Sequence, residues 1–206
     1  MEIAILQHVD FEGPAEIENW CRQTGNEYKV YRLFLGEALP KAERTDFLVI
    51  LGGPMSVLDE LPWLEEERQL IRVLISQGKP VFGVCLGGQQ IAKTLGADIF
   101  QGEYREAGWL PIWTMKSETL GELPEELVVF HWHGEQFGLP EGAERLFTSE
   151  VCPNQGFIYK ENVIGLQFHF ESTKESIESI LQNDAAFLDG TATFTVARGF
   201  ATVEKI

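Results

Sequence analysis

The chain has 206 residues and a formal net charge of −16, so phosphate backbones and anionic lipid surfaces would repel it. We therefore expect neither nucleic acid nor a membrane surface as a partner. With 44% hydrophobic residues, the chain is long enough for one substantial core and too short for two large domains. A single domain over residues 1–206 is expected.

The N-terminal segment Met1–Asp10 has an acidic second residue and only a short apolar run, unlike a signal peptide. No apolar stretch approaches the roughly 20 residues of a transmembrane helix. Cys21, Cys85 and Cys152 show no paired spacing and leave one cysteine over, which is typical of a reducing compartment. We therefore predict a cytoplasmic protein, with Cys21 as a packing residue of its helix.

Strands and helices alternate in the first half of the sequence. The first predicted strand is apolar almost throughout, as expected when both faces of a parallel sheet are buried. This alternation predicts an α/β fold, doubly wound, with a mostly parallel central sheet and helices on both faces. The predicted elements are strands Glu2–Gln7, Tyr28–Leu35 and Phe47–Leu51, a helix from Gly13 to Gly25, and a helix over Leu61–Gln77.

After Asp98 the pattern changes to strands separated by turns, which predicts a small antiparallel edge or a second sheet. Ser172–Glu175 has the form of a capping box and opens a helix that reaches about Leu188. The tail from Thr191 gives no clear pattern. The predicted strands are Asp98–Gln101, Gly108–Trp113, Leu127–His133, Arg145–Thr148, Gly156–Tyr159 and Val163–Phe168.

The segment Pro80–Gly96, PVFGVCLGGQQIAKTLG, predicts a strand, a tight turn and the start of a helix. Cys85 stands in the turn between glycines, which permit a strained backbone and leave the approach to the sulfur open. The positive end of the helix dipole favours the thiolate, which is the reactive form of cysteine. Single cysteines are more often small buried hydrophobes, so the glycines and a base elsewhere decide the interpretation. We interpret Cys85 as a nucleophile.

A base appears after the last predicted strand, which delivers His169 at its carboxyl end, with Glu171 two residues later. Side chains two apart in an extended segment point the same way, so Glu171 can orient the imidazole of His169. Cys85, His169 and Glu171 therefore have the residue types of a nucleophile–base–carboxylate triad. Their separation in sequence is no obstacle, because the members of such triads meet in the folded structure.

Three segments together resemble the class I, or triad, glutamine amidotransferases. Gly83–Gln89 matches the family's G-x-C-x-G-x-Q, Gln167–Glu171 is similar to Q-F-H-P-E, and Leu51–Pro54 resembles the glycine-rich oxyanion loop. The resemblance covers nearly the whole chain and is strongest to stand-alone members similar to the amidotransferase domain of GMP synthase. It implies a flavodoxin-like fold. Phe170 stands where the pattern has proline, which removes some rigidity from its segment.

The resemblance implies hydrolysis of the side-chain amide of glutamine through a cysteine γ-glutamyl thioester, with no cofactor. Cys85 would attack the carbonyl, His169 would act as acid and base, and Glu171 would orient His169. The backbone N–H groups of Gly53 and Leu86 would hold the oxyanion, and each such donor is worth roughly 3 kcal/mol.

The same resemblance assigns residues to the glutamine pocket. Gln89 matches a family residue that lines the pocket, although in other proteins such a position is often a solvated helix residue. The segment Trp132–Glu135 resembles the family's S-H-G-D, near the amino-acid end of glutamine, so His133 and Glu135 are expected to shape the pocket. Trp132 replaces the small residue of that pattern and can change what fits.

His131 and His133 alternate along a predicted strand and share a face, so with one more ligand they could hold a metal. The sequence places no third ligand beside them, and it has no soft or acidic cluster with metal-ligand spacing. We therefore expect no metal site.

The fate of the ammonia leaves alternatives open. Only about a helix and a tail follow the triad, so we expect the acceptor site on a separate synthetase subunit. A γ-glutamyl peptidase acting on small γ-glutamyl compounds would use the same machinery, and a catalytically silent binding or regulatory subunit would keep only the fold. In DJ-1-like hydrolases histidine commonly follows the cysteine, whereas Leu86 does here, which disfavours that class.

Overall fold

The computed structural model describes residues 1–189 and 193–194, which form a ten-stranded sheet flanked by helices. The strands are β1 Glu2–Gln7, β2 Glu27–Arg32, β3 Phe47–Ile50, β4 Val81–Val84, β5 Ile99–Thr114, β6 Glu126–Phe137, β7 Ala143–Thr148, β8 Gly156–Tyr159, β9 Val163–Leu166 and β10 Thr193–Phe194. The α-helices are α1 Glu16–Gln23, α2 Pro62–Ser76, α3 Leu86–Thr94 and α4 Lys174–Asn183. Short 3-10 helices cover Leu33–Leu35, Ala42–Arg44 and Ala185–Leu188.

The strands β2-β1-β3-β4-β9 are parallel and form one half of the sheet. The sheet continues through β8, β7 and β5, which pair antiparallel, and β6 lies along β5. β10 adds a parallel pairing to β5. The order of the parallel half is that of flavodoxin-like folds, which confirms the predicted fold class. The antiparallel strands extend the same sheet and do not form a second one.

Side chains of β1 alternate between the two faces of the sheet. Ile3 and Ile5 pack in a cluster with Cys21 of α1. Ala4 and Leu6 pack on the other face, in a core that includes residues of α2 and α3. Each fully buried aliphatic side chain contributes about 1.5–3 kcal/mol of transfer free energy. Helices therefore cover both faces, and Cys21 is a fully buried packing residue, both as predicted.

The stretch predicted as strands Asp98–Gln101 and Gly108–Trp113 is one strand, β5, with an irregular register between Gln101 and Glu106. Its polar, partly exposed middle resembles a turn in sequence, but β6 pairs on both sides of the irregularity, so the chain continues as one strand. The prediction of two separate strands is wrong. A strand was also predicted through Leu33–Leu35, which is a 3-10 helix.

β9 ends at Leu166, earlier than predicted, because the chain passes there from its pairing with β8 to a contact with β6. The N–H of Gln167 donates to the carbonyl of Gln155 (2.9 Å), and that of His169 donates to the carbonyl of Phe130 in β6 (2.8 Å). The second bond ties the segment after β9 to the antiparallel half of the sheet.

The C-terminal helix also differs from its prediction. The capping box of α4 joins Thr173 and Ser176, not the ends of Ser172–Glu175, because Thr173 has the extended backbone of an N-cap. The helix ends at Asn183, and the 3-10 helix Ala185–Leu188 carries the chain to the predicted limit.

Within residues 1–189 and 193–194, no helix combines the length and the apolar character needed to cross a bilayer. Cys21, Cys85 and Cys152 are buried and free. The tail from Thr191 lies almost wholly outside the described residues, so the single domain over 1–206 stays a prediction.

Candidate active site

Cys85 lies between β4 and α3, at the carboxyl edge of the parallel strands. Its φ of 50° is one that residues other than glycine rarely adopt. Such strain persists only where the surroundings enforce it. Here the N–H of Cys85 donates to the carbonyl of Leu166 (2.8 Å), and its carbonyl accepts from the N–H of Gln89 (3.0 Å). The turn thereby holds the sulfur beside the free N–H groups that begin α3.

Gly87 and Gly88 allow α3 to start in direct contact with two strands. A Cβ on Gly87 would lie 2.2 Å from the carbonyl oxygen of Ile50 in β3, and one on Gly88 would lie 2.4 Å from that of Leu166 in β9. These distances leave no room for any side chain, so the approach requires glycine. The two glycines therefore fix the start of the helix relative to the sheet.

His169 contacts both Cys85 and Glu171. Nδ1 of His169 lies 2.8 Å from Oε1 of Glu171, and because a carboxylate only accepts, Nδ1 is the donor. Nε2 is then the nitrogen left for Cys85, whose interaction with the imidazole raises the pKa of His169. Sγ of Cys85 itself lies 3.8 Å from both the carbonyl oxygen of Trp132 and Nε2 of Gln167. All three side chains are buried. The structure thus brings together the cysteine, histidine and glutamate that the sequence singled out.

The electrostatics of the three side chains favour a protonated histidine. Burial lowers the pKa of His169, but the charge of Glu171 and the hydrogen bonds with Cys85 and Glu171 outweigh it, so the pKa lies well above its ordinary value. At neutral pH the arrangement therefore holds a proton on the imidazole, next to the sulfur. Burial raises the pKa of the thiols of Cys21 and Cys152, which opposes thiolate formation there.

The loop after β3 lies against the nucleophile turn. A Cβ on Gly53 would lie 3.1 Å from Cδ2 of Leu86, so the two residues are neighbours. The N–H of Gly53 meets no acceptor within the described part of the chain, and that of Leu86 begins α3, where the helix offers none. Gly53 lines the same cavity as Cys85, and Leu86 directly follows Cys85, so two backbone donors without an internal acceptor belong to the segments around the sulfur.

A buried pair supports this loop and was missed by sequence analysis. Nδ1 of His8 donates to the carbonyl of Gly52 (3.0 Å), and Nε2 lies 3.0 Å from Oε2 of Glu67. Burial lowers the pKa of His8, but the charge of Glu67 and the hydrogen bonds raise it above its ordinary value. His8 thus links the loop after β3 to Glu67 of α2. No motif relates these positions in the sequence.

A cavity of about 260 Å³ opens beside Cys85. Glu135 lies in its wall, and Oε1 of this carboxylate accepts from Oγ of Ser56 (2.8 Å). Gln89 also lines the cavity, but its amide donates to the carbonyl of Glu135 and to Oε1 of Gln167, each at 3.3 Å. Gln89 is therefore a buried residue that supports the pocket wall, not a solvated helix residue.

Trp132 joins the cavity to the turn after α4. Its Nε1 donates to Oδ2 of Asp184 (2.8 Å), and its ring lies 5.0 Å from that of Phe187. The guanidinium of Arg105 lies over the ring of Phe187 at 4.6 Å and donates a hydrogen bond to the backbone carbonyl of Phe187. The indole that replaces the small residue of the family pattern thus anchors the C-terminal turn over the pocket.

Glu12 is a second residue that sequence analysis missed. It lines the cavity with Cys85 and an adjoining crevice with His169 and Glu171. A Cβ on Gly52 would lie 2.3 Å from Oε2 of Glu12, so that glycine makes room for the carboxyl group. Burial raises the pKa of Glu12 to about 7, with His169 opposing and Glu171 adding to the shift. The only signal was its position shortly after the first strand, at the edge where α/β sites form.

His133 lies in the cavity wall, and its imidazole also meets an acidic residue. Its Nε2 is 3.1 Å from Oε2 of Glu106, which sequence analysis had not placed beside it. His131 belongs to the same cluster. Burial lowers the pKa of His131 to about 3, so its imidazole is neutral at physiological pH. Glu106 is thus a third potential metal ligand, which the sequence did not place beside the two histidines. It lies in β5, directly across the ladder from His133.

The fold and site define an α/β protein with a cysteine, a histidine and a glutamate assembled at the ends of parallel strands. The sequence model of the class I glutamine amidotransferases matches residues 14–186, and the chain belongs to this family. Membership implies a glutamine-hydrolysing cysteine enzyme.

Three known proteins illustrate what this chain is similar to. The chain is 33% identical over 193 aligned residues to the glutamine amidotransferase-like protein YfeJ of Salmonella typhimurium, covering 89% of this chain and 81% of that protein. It is 35% identical over 134 residues to a GMP synthase [glutamine-hydrolyzing] of Bacillus cytotoxicus, covering 64% of this chain but only 25% of the synthase. A crystal structure of a glutamine amidotransferase from Thermotoga maritima superposes with a TM-score of 0.83 at 34% identity, covering 88% and 80% of the two chains.

Proposed function

We propose that this protein hydrolyses the side-chain amide of glutamine through a γ-glutamyl thioester on Cys85. The observation that carries the proposal is the buried group of Cys85, His169 and Glu171 beside a cavity. His169 is hydrogen-bonded to Glu171, and its interaction with Cys85 helps to raise the pKa of the imidazole. Family membership supports the reaction class.

In the proposed reaction, Sγ of Cys85 attacks the γ-carbonyl carbon of glutamine and a C–S bond forms. Nε2 of His169 gives its proton to the amide nitrogen, the C–N bond breaks, and ammonia leaves. A water molecule then loses a proton to His169 and attacks the thioester, which releases glutamate and restores the thiolate. Glu171 holds His169 in the tautomer that both steps require.

The carbonyl oxygen becomes negatively charged in both steps. We assign the N–H groups of Gly53 and Leu86 to this charge, because they are neighbours and lack other acceptors. His8 would act at one remove, as a positioning residue that fixes the carbonyl of Gly52 and thus the orientation of the next peptide.

The amino-acid end of glutamine needs a partner for its ammonium group and one for its carboxylate. We assign the carboxylate of Glu135 to the ammonium group, with Gln89 and His133 supporting that wall. The guanidinium of Arg105 in the cavity lining has the charge that a substrate carboxylate requires. These contacts would select a γ-glutamyl group over a simple amide.

We further propose that the ammonia is used by an acceptor site on a separate synthetase subunit. The support is the likeness to glutamine-hydrolysing GMP synthases, of which this chain matches about a quarter. The free cysteines support a cytoplasmic location, where thiols stay reduced.

The test is an assay of ammonia and glutamate released from glutamine, with Cys85→Ser as the inactive variant and Cys21→Ser as the matched control. We expect equimolar products from the wild type and from Cys21→Ser, and none above background from Cys85→Ser. Release of glutamate from γ-glutamyl peptides, but not from glutamine, would favour the peptidase hypothesis. Absence of turnover with either substrate, alone or with cell extract as a source of partner, would favour a silent subunit.

A further inference from the structure

Three buried side chains that take no part in the proposed bond-making steps form a cluster behind the pocket wall. Glu106 of β5 and His133 of β6 are direct partners in the antiparallel ladder, and His131 lies two residues earlier on the same face. None of the three is more than 3% exposed. One donor atom from each lies within 4.8 Å of the other two.

The hydrogen bonding of His133 fixes which nitrogen faces the carboxylate. Nδ1 of His133 lies 3.1 Å from the carbonyl oxygen of Glu135, which can only accept, so Nδ1 carries the proton. In a neutral imidazole, Nε2 then carries no proton and presents a lone pair, and it lies 3.1 Å from Oε2 of Glu106. Two electron-rich atoms this close require either a proton or a metal cation between them. Metal-bound histidines commonly show this same arrangement, with the other N–H given to a backbone carbonyl.

Adding a proton to His133 would not give every buried polar atom of the cluster a hydrogen bond of good geometry, because His131 would still lack one. Neither nitrogen of His131 makes a hydrogen bond of good geometry among the described residues, although the backbone of Leu110 lies close enough to raise its pKa. Nε2 of His133 and Oε1 of Gln155 also lack a hydrogen bond of good geometry. Native proteins seldom leave buried polar atoms unpaired. A proton on His133 would satisfy its contact with Glu106 but would leave His131 with no more than the backbone contact to Leu110. A bound cation would satisfy both histidines at once.

The carboxylate is already held by neighbours in the way that metal ligands usually are. Oε1 of Glu106 accepts from Oγ of Ser149 (2.7 Å), and Oε2 accepts from Nε2 of Gln155 (2.6 Å). These bonds fix the carboxylate beside the imidazoles and leave Oε1 of Gln155 as a further oxygen donor in the cluster.

We propose that Glu106, His131 and His133 bind a divalent cation of the zinc class. Two imidazole nitrogens and one carboxylate oxygen suit zinc, with Gln155 or a water molecule as a fourth ligand. Tetrahedral coordination needs donor atoms closer together than 4.8 Å, so binding would draw the side chains inward. The site is closed from solvent, which is typical of a structural cation rather than a catalytic one.

The cation would stiffen one wall of the glutamine pocket. Trp132 lies between the two histidines, and its carbonyl oxygen is 3.8 Å from Sγ of Cys85. Fixing the residues on either side of Trp132 would fix both that carbonyl and the indole that holds the C-terminal turn. The cation would therefore join β5 to β6 directly behind the nucleophile.

The test is zinc binding by the intact chain after removal of metals with a chelator. Zinc is added as the free ion, unbound metal is removed by gel filtration, and bound zinc is measured by elemental mass spectrometry and by competition with a chromophoric chelator. We expect one zinc per chain in the wild type. Because a cysteine and a histidine also meet at the active site, Cys85→Ser is the control, and it should keep the zinc.

His131→Leu should lose stoichiometric zinc. It leaves the acidic surface residues and Cys85, His169 and Glu171 unchanged, so a loss of zinc would point to the cluster itself. Glu106→Gln, which can still accept from Ser149, should also lose it and serves if the leucine variant fails to fold. Cobalt in place of zinc should give a tetrahedral visible spectrum without a sulfur charge-transfer band. The proposal is overturned if the wild type binds no stoichiometric zinc, or if Cys85→Ser loses the metal while His131→Leu keeps it.

Discussion

At the residue scale, the site depends on how Glu171 controls His169. The carboxylate accepts the Nδ1 proton and, by its charge, keeps the pKa of His169 well above the ordinary value in spite of burial. An amide at position 171 would remove that charge and could also donate to Nδ1, which selects the wrong tautomer. The negative charge is thus expected to matter more than the shape of the side chain.

Glu171→Gln is therefore expected to reduce kcat by roughly 10²–10⁴-fold, the range typical of lost acid–base catalysis. Steady-state glutaminase assays across pH measure it, and the pKa assigned to His169 should fall with it. Glu175→Gln, on the exposed start of α4, is the matched control and should leave both unchanged. A Glu171→Gln variant with nearly full activity would contradict the orienting role.

Glu12 gives a prediction on stability. Its pKa in the folded protein is about 7, above the ordinary 4.5, so the folded state keeps a proton that the unfolded chain loses between these values. The contribution of protonated Glu12 to the free energy of unfolding is therefore full below about pH 4.5. It falls as the pH rises towards 7 and stays constant above that. Glu12→Gln cannot lose the proton, so it should gain stability relative to the wild type across this window.

Melting temperatures of the two proteins at pH 5 and pH 8 measure this difference. The Glu12→Gln variant should gain relative to the wild type at pH 8, whereas Glu16→Gln, the same change at an exposed position, should show no such trend. A difference that stays constant with pH would show that Glu12 is not the group responsible.

At the element scale, α3 depends on glycine where it touches β3. A Cβ at Gly87 would lie 2.2 Å from a backbone oxygen, which a rotamer change cannot relieve. Gly87→Ala should therefore destabilise the protein by about 1–3 kcal/mol and displace the N–H of Leu86, which we assign to the proposed oxyanion site. Urea denaturation and the glutaminase assay measure the two effects.

Gly138→Ala is the control, because its Cβ would meet nothing closer than 3.6 Å and its φ is not positive. It should change stability by a few tenths of a kcal/mol and leave the activity intact. Equal effects of the two substitutions would contradict the close-contact argument.

The elements could largely be predicted from sequence where a local pattern determines them. The apolar run of β1 and the strand-turn-helix around Cys85 are local features, and the structure agrees with both. The irregular middle of β5 was mistaken for a turn because its polar residues are exposed, while its pairing with β6 is a long-range contact. The capping box was misplaced by one residue because two hydroxyl residues, Ser172 and Thr173, compete for the cap.

At the scale of the whole molecule, the site is assembled from segments distant in sequence. Cys85 and His169 could be predicted because each follows a strand in a motif. Glu12, His8 and Glu106 could not, because no sequence spacing relates them to the partners that they meet across the sheet. The fold alone brings the ends of β1, β3, β4 and β9 to one edge.

The same assembly holds the segment after β9 in place. Phe170, which replaces a proline, is half exposed and packs edge-on against Phe82 at 5.3 Å. The geometry between His169 and Glu171 is instead held by the backbone bond from His169 to Phe130. Rigidity that proline would supply locally is thus supplied by the sheet.

The most direct measurement of the central claim is mass spectrometry of the protein after exposure to an electrophilic glutamine analogue. A generic thiol alkylator and the Cys85→Ala variant are run beside it. The account predicts stoichiometric labelling of Cys85 by the analogue at low concentration, protection by glutamine, and no labelling of Cys85→Ala. Alkylation of Cys85 by the generic reagent without labelling by the analogue would contradict free glutamine as the substrate, and a Cys85 that reacts with neither would contradict an activated nucleophile.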